Sequence, residues 1–415
     1  MLSHPMQHAM SEAHVLAGYL IFFASYLVFA IGKFPGWKID RPGMAIIGAV
    51  LMFAFRILGP GDSLRFIDFA TIVLLFSMML IVGNLRLAGF FERVAQIAVA
   101  RLGRHHLLPA IIFTSGVLSA FFVNDIICLV MVPFVLTIAR RMNVPPARYL
   151  LAVATASNIG SVASITGNPQ NILIGSLSGI SYRSFLAHLG PVAMVGLLLD
   201  WLVLHFAGEG GRPIENDGVV LEITQRRARS LTKPVLVTAA VLVAFVAGAQ
   251  PALVAAVGAA ILLITRSLEP RLVYEEVDWG LLVFFIGLFL IVGGAEQVGL
   301  TSLLLEFAQR WNLHNAGILT LVTAALSNLV SNVPAVMLLK SLAPGFQDPH
   351  HAWLVLAMAS TLAGNLTITG SIANIIVVER SRPAVRIGFW DYFRLGLPIT
   401  LATLLFGWLW LSVVP

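Results

Sequence analysis

Charge is scarce in this chain. Only 11% of its 415 residues are Asp, Glu, Lys or Arg, against about 25% in a soluble domain. That leaves too little polar side chain to cover a water-facing surface. Cysteine is nearly missing: the single Cys128 excludes an internal disulfide framework and a cysteine-built metal cage, and it reads as a small packed residue. There is no His-Glu-x-x-His run, so a zinc site of that type has no support. The opening residues MLSHPMQHAMSEAH lack a basic region ahead of the first apolar run. A cleavable signal peptide is therefore not expected, and the first run is read as a retained span.

What is abundant is apolar surface. Hydrophobic residues make up 58% of the chain and the mean hydropathy is +0.91. Runs of about 20 apolar residues, the length that crosses a bilayer core, recur from end to end. They predict spans at 14–31, 43–59, 67–86, 147–177, 184–206, 234–249, 251–266, 278–297, 352–378 and 388–413. Two other stretches, 107–138 and 315–345, are too long for one helix and carry polar residues near their middles: Asn124 and Asp125 in one, Ser331, Asn332 and Pro334 in the other. Such a stretch suits a re-entrant hairpin with a polar tip, which is tolerated at membrane depth only when protein or a water-filled cavity surrounds it.

The basic residues set the orientation. With the amino terminus outside, ten spans and both hairpins returning to their own side, 21 of the 26 Lys and Arg residues fall on the cytoplasmic side. Both termini are then outside, and a bacterial inner membrane is the expected setting. The formal charge of +6 thus reports topology, and a nucleic-acid partner is excluded. The one long polar segment, 207–233, reads as a cytoplasmic linker, with room for a short surface helix. It separates residues 1–206 from 234–415.

Those two parts resemble each other. Ile67-Asp68-Phe69, Ile81-Val82-Gly83 and Gly89 recur at the same spacing as Val277-Asp278-Trp279, Ile291-Val292-Gly293 and Gly299. Ser119 and Asn124 recur as Ser327 and Asn332. The run 156–171 (ASNIGSVASITGNPQN) recurs as 359–374 (ASTLAGNLTITGSIAN), with Ala, Ser, Ile-Thr-Gly and Asn in register. Five spans per copy is an odd number, so the second copy must enter from the opposite side. The expected fold is an all-α polytopic membrane protein of two inverted five-helix repeats, each with a re-entrant hairpin and a broken helix. Inverted repeats are a common transporter architecture, with the site where the copies meet.

The polar runs locate that site. Gly167 and Pro169 predict a break in the span 147–177, and Gly370 predicts another in 352–378. A broken helix frees N–H groups with a positive dipole at the start of its second half and carbonyls at the end of its first. The former suit an anionic or oxygen-rich substrate and the latter Na⁺. The candidate binding residues are Asn124, Asp125, Ser164, Thr166, Gly167, Asn168 and Asn171 in one half. Ser331, Asn332, Thr367, Thr369, Gly370, Ser371 and Asn374 stand in the other. No organic cofactor and no fixed metal is expected; the coupling ion is H⁺ or Na⁺, with Na⁺ candidates near Asn124, Gly167, Asn332 and Gly370. Asp125 is the sharpest single residue, because an ionisable group at membrane depth is a functional candidate by default. It can serve as a proton carrier, a Na⁺ ligand or a structural acceptor. Lys340, on the returning arm of the second hairpin, can attract an anion or snorkel to the interface, and the second is the favoured reading for it and for Arg56.

At these motifs the sequence resembles the ion transporter superfamily, which includes the divalent anion/sodium symporters, arsenite-efflux permeases, the melanosomal P protein and one class of Na⁺/H⁺ antiporters. The symporters carry Ser-Asn-Thr at each hairpin tip. Here the tips are Val123-Asn124-Asp125 and Ser331-Asn332-Val333, and with Ala363-Gly364-Asn365 they look more like the arsenite-permease and P-protein branch. The resemblance covers about residues 40–410. It implies a scaffold and a transport domain that moves like an elevator, often in homodimers, with a small inorganic or organic anion as cargo. The expected function is secondary active transport of a small anion or oxyanion. A Na⁺/H⁺ antiporter and an uncoupled channel are the alternatives within transport.

From another class, Gly59-Pro60-Gly61-Asp62 and Pro251-Ala252-Leu253 fit the GxGD and PAL patterns of intramembrane aspartyl proteases. No Tyr-Asp pair precedes Asp62, and Asp62 falls in a short polar loop, so the chain is not read as an enzyme. Asp62→Asn is expected to leave activity intact. A peptide-cleavage activity that disappears with this substitution would restore the protease.

Overall fold

In the computed structural model the described residues are 12–32, 38–99, 103–208, 231–264, 269–382 and 384–414, and they are helical with no strand. The chain runs α1 (Glu12–Ile31), α2 (Arg41–Ala54), α3 (Pro60–Ser63), α4 (Phe69–Leu87), α5 (Phe90–Val99), α6 (Leu107–Phe121), α7 (Asn124–Met142), α8 (Ala147–Ser161), α9 (Pro169–Ser178) and α10 (Tyr182–Phe206). It continues α11 (Thr232–Val246), α12 (Pro251–Leu263), α13 (Pro270–Tyr274), α14 (Trp279–Gln297), α15 (Leu300–Arg310), α16 (Ala316–Val330), α17 (Asn332–Leu339), α18 (Pro349–Leu362), α19 (Ile372–Ser381) and α20 (Phe389–Val413). The linker expected at 207–233 lies almost wholly outside the described residues, as do several of the basic residues that set the orientation.

Among the described residues, α1, α4, α10, α14 and α20 are long and apolar enough to cross a bilayer, and five shorter apolar helices (α2, α6, α11, α12 and α16) accompany them. On α1, Leu16, Leu20, Phe23 and Leu27 share one face at helical spacing and are 58–61% exposed, the surface expected against lipid. The span expected at 43–59 is shorter. α2 stops at Ala54 because Arg56 takes φ +54 and α3 opens at Pro60.

Local sequence explains why the element order repeats. The Asp68 and Asp278 motifs are helix caps: Asp68 Oδ1 accepts from Ala70 N at 3.0 Å and Asp278 Oδ1 from Leu281 N at 2.9 Å, satisfying N–H groups at the starts of α4 and α14. The paired glycines end these helices. Gly89 (φ +81) and Gly299 (φ +99) adopt the left-handed geometry that favours glycine, turning the chain into α5 and α15. Hydropathy does not anticipate those two helices, because Glu92, Arg93, Glu306 and Arg310 dilute their apolar residues.

Two groups of helices form. In the first, α2 packs on α14 and α4 on α12, with α1 against α14 and α11 against α4. In the second, α8 lies against α6 and α10, and α18 against α16 and α20, while α10 and α20 pack on each other. Here α8 from Tyr149 to Ser161 and α18 from Ala352 to Leu362 are buried at every residue. Exchanging the two halves of the chain maps each contact onto its counterpart. The same exchange holds where they interlock: α9 packs on α17 and α18, and α19 on α7 and α8.

Backbones approach closely at small residues. A Cβ on Gly160 of α8 would lie 2.0 Å from the Gly116 carbonyl oxygen of α6, and such close crossings are how helices associate without a hydrophobic driving force in lipid. Gly160→Ala should destabilise the protein by at least the ~1–3 kcal/mol of an overpacked site, while Gly61→Ala, with nothing within 4 Å, should be silent. Melting temperatures of the two detergent-solubilised variants check this; equal stabilities would contradict it.

Candidate functional site

Both predicted breaks are present. α8 ends at Ser161 and α9 starts at Pro169, where proline loses nothing because the first N–H of a helix has no partner anyway. Asn168 caps α9, accepting from Asn171 N at 2.8 Å. Asn171 then turns back, and its Nδ2 donates to the carbonyls of Ser161 and Ser164, each at 3.0 Å. In the second half α18 ends at Leu362 and α19 starts at Ile372. Asn374 Nδ2 donates to the carbonyls of Gly364 at 2.7 Å and Thr367 at 2.9 Å. In both halves one asparagine reaches the carbonyls ten and seven residues before it, answering acceptors that the break orphans.

The hairpin turns dock onto these breaks. Asn124 N donates to the Gly167 carbonyl at 3.1 Å. The Ser164 hydroxyl donates to the Ala120 carbonyl, and that of Thr166 to the Phe121 carbonyl at 3.2 Å. Thr166 also meets the Tyr182 hydroxyl at 3.0 Å. Gly167 is required by closeness, since a Cβ there would lie 2.2 Å from the Ser161 carbonyl oxygen. In the second half Ser327 Oγ donates to the Ser360 carbonyl at 2.9 Å and Asn328 Nδ2 to the Ala363 carbonyl at 2.8 Å. Asn332, with its amide nitrogen toward the surrounding oxygens, donates to the carbonyls of Ser360 and Gly370 at 3.2 Å and accepts from Gln170 Nε2 at 3.2 Å.

Hydrogen bonds cross between the halves. Asn158 Oδ1 accepts from Asn124 Nδ2 and from Ser371 Oγ, both at 2.9 Å. Asn158 Nδ2 lies 2.9 Å from Asn365 Oδ1 and from Asn374 Oδ1. On the other side Thr361 Oγ1 accepts from Asn168 Nδ2 at 3.2 Å and from Gln170 Nε2 at 3.0 Å. The Asn158–Ser371 and Thr361–Asn168 contacts are counterparts under exchange of the halves. Asn158, Gln170, Thr361 and Asn365 were not among the residues picked from sequence. They are buried, and all four lie within the repeated runs 156–171 and 359–374, so registering those runs against each other would have found them.

Of the fourteen candidates, Asn124, Ser164, Thr166, Gly167, Asn168, Asn171, Asn332, Ser371 and Asn374 come together here. Gly370 joins through its carbonyl. Thr367 reaches Asn328 Oδ1 at 3.4 Å and Thr369 Oγ1 at 3.3 Å, but Thr369 is exposed. Ser331 makes no side-chain hydrogen bond with a described residue and holds φ +80. Asp125 is half-buried and accepts no hydrogen bond from a described residue. The buried amide oxygens of Asn124 and Asn171 are also without a hydrogen-bond partner among the described residues. Lys340 is not free to snorkel: its Nζ pairs with Glu296 at 3.2 Å. Cys128 is buried, 3.0 Å from the Ser157 hydroxyl. No group of three His, Cys, Asp or Glu suited to a metal occurs among the described residues.

A buried polar site assembled from two broken helices and two helical hairpins, inside a bundle faced with apolar residues, defines a polytopic membrane transporter. The chain belongs to the citrate transporter family CitMHS, matched over residues 26–363; it is a transporter and not an enzyme. It is 30% identical to the silicon efflux transporter LSI3 of Oryza sativa subsp. japonica, over 95% of this chain and 96% of that one. It is 28% identical to the inner membrane protein YbiR of Escherichia coli (strain K12), over 90% and 95%. To the putative transporter arsB of Dictyostelium discoideum it is 25% identical, over 89% and 86%. Among solved structures, the Alcanivorax borkumensis YdaH transporter shares the fold, with a TM-score of 0.63, 14% identity and coverage of 96% and 97%.

Asn171→Ala and Asn374→Ala each remove two bonds to buried carbonyls. At about 1–3 kcal/mol per orphaned group, each variant should melt well below wild type and by a similar margin. A shift typical of an exposed surface substitution, within about 0.5 kcal/mol, would show that the breaks do not depend on these amides.

Proposed function

We propose that this protein is a secondary active transporter of a small oxyanion or its protonated oxyacid, coupled to H⁺ or Na⁺. The carrying observation is the make-up of the network: Asn, Gln, Ser and Thr side chains from both halves, with no lysine or arginine among them. Amides and hydroxyls offer donors and acceptors together, which matches a solute bearing several OH or O⁻ groups. A multiply charged carboxylate would lose its hydration with no fixed positive charge in return, a large penalty. The names of the relatives, a silicon efflux transporter and an arsB, support a small oxyacid over citrate.

The helix dipoles at the starts of α9 and α19 favour negative charge on the solute. The unpartnered oxygens of Asn124 and Asn171 supply the hard ligands that Na⁺ takes. Asp125, at the first turn of α7, adds a carboxylate within the hairpin; it favours a Na⁺/H⁺ antiporter as the second reading. In this account residues 1–206 and 234–415 are inverted repeats, the hairpins are re-entrant, both termini face outward from a bacterial inner membrane, and homodimers form. The helices around α8 and α18 carry the site past the framework of α2, α4, α12 and α14 in an elevator motion.

Purified protein in liposomes containing a pH dye, given arsenite, orthosilicic acid or citrate with and without Na⁺, tests this. Movement of a small oxyacid, driven by a pH or Na⁺ gradient and reduced at least tenfold by Asp125→Asn, is the expected result. Flux of citrate alone would overturn the cargo, and Na⁺-driven proton movement with no added solute would establish the antiporter.

A further inference from the structure

One buried carboxyl has no place in the network above. Asp200 of α10 is 0% exposed, and neither of its oxygens accepts a hydrogen bond from a described residue. Its neighbours are hydroxyls. Thr155 of α8 lies beside it, but the Thr155 hydroxyl donates to the Leu151 carbonyl at 2.9 Å. From α20, Tyr392 is near enough to feel the charge of Asp200, and its hydroxyl is buried and has no hydrogen-bond partner among the described residues.

Among the described residues no salt bridge reaches the carboxyl. α6 carries no titratable residue. On α8 Arg148 and Tyr149 lie in the first turn, as do Lys233 on α11 and the histidines 350 and 351 on α18. Asp391 and Arg394, either side of Tyr392 on α20, are exposed. The titratable residues of α10 itself are Tyr182, Arg183, His188 and His205, all five or more positions from Asp200.

An unpaired carboxylate in an apolar interior is strongly disfavoured, whereas the acid form is tolerated far better and can donate. Asp200 is also one residue removed from the site. The Thr155 carbonyl accepts from Asn365 Nδ2 at 3.3 Å, and Tyr392 lies beside the Asn374 side chain. Asn365 and Asn374 are the two amides that meet Asn158 from the other half.

We propose that Asp200 is a proton-binding site, separate from the hairpin tips, whose occupancy sets the hydrogen bonding of Thr155 and Tyr392 and through them of the Asn365 and Asn374 amides. An O–H bond forms on one carboxylate oxygen with a proton from water and breaks to return it. When the proton leaves, the Thr155 and Tyr392 hydroxyls turn their hydrogens toward the carboxylate, and Thr155 releases Leu151. The role in coupling rests on the transporter reading; the binding of the proton does not.

Infrared difference spectra of the purified protein in lipid, recorded between acid and alkaline buffer, read the carbonyl stretch of a protonated carboxyl. The wild type should show a titrating band that is lost in Asp200→Asn, kept in Asp125→Asn and shifted in Asp200→Glu. A band unchanged in both Asp200 variants, or a wild-type acid that never titrates, overturns the proposal. If Asp200→Asn does not fold, the shift in Asp200→Glu decides. Arsenite flux in the same liposomes separates the two readings. A titrating Asp200 in a wild type that moves no arsenite leaves the proton site standing and counts against the proposed oxyacid cargo. Equal pH dependence of flux in wild type and Asp200→Asn removes Asp200 from coupling.

Discussion

A backbone that leaves helical geometry inside an apolar bundle must find partners for every N–H and C=O it frees, and the rest of this structure depends on how that demand is met. Each break meets it with one asparagine, Asn171 or Asn374, folded back onto carbonyls ten and seven residues earlier. Once those carbonyls are held, the half-helices α9 and α19 can start again at Pro169 and Ile372. The hairpin turns dock against the breaks through Asn124 and Asn332. The remaining polar atoms of the site, including the free oxygens of Asn124 and Asn171, are then fixed in place by groups already committed elsewhere. Preorganised polar groups of this kind bind a solute without first having to be ordered.

The same solution joins the halves of the chain. Because α9 lies on α17 and α18 while α19 lies on α7 and α8, each break is completed by the opposite half. Asn158 is the meeting point, with the amides of Asn124, Asn365 and Asn374 and the Ser371 hydroxyl all at 2.9 Å. Thr361 does the corresponding work for Asn168 and Gln170. Neither half completes this hydrogen-bond network alone.

Much of this was legible in the sequence because the bilayer leaves so few choices. Length and hydropathy located the long spans, and the aspartates and glycines that mark the repeat proved to be caps and left-handed turns with a definite job. Gly167, Pro169 and Gly370 announced the breaks. Other features were hidden for physical reasons. Hydropathy averages over a window, so α5 and α15 vanished behind their charged faces. Asp200 went unremarked within the apolar run 184–206, and the helices packed on α10, α8 and α20, lie elsewhere in the sequence. Asn158 and Thr361 read as interior polar residues of a helix, and their partners lie some 200 positions away. Asp125, the residue that stood out most in the sequence, makes no hydrogen bond with a described residue.

The central claim is that hydrogen bonds between the halves hold the site together, and a double-mutant cycle on Asn158 and Ser371 tests it most directly. Asn158→Ala, Ser371→Ala and the pair would be compared with wild type by reversible unfolding in detergent. The account predicts a coupling energy of about 1 kcal/mol or more, as found for residues in one hydrogen-bond network. Losses that add to within about 0.3–0.5 kcal/mol, as they do for independent sites, would contradict it and leave each half to build its part of the site alone.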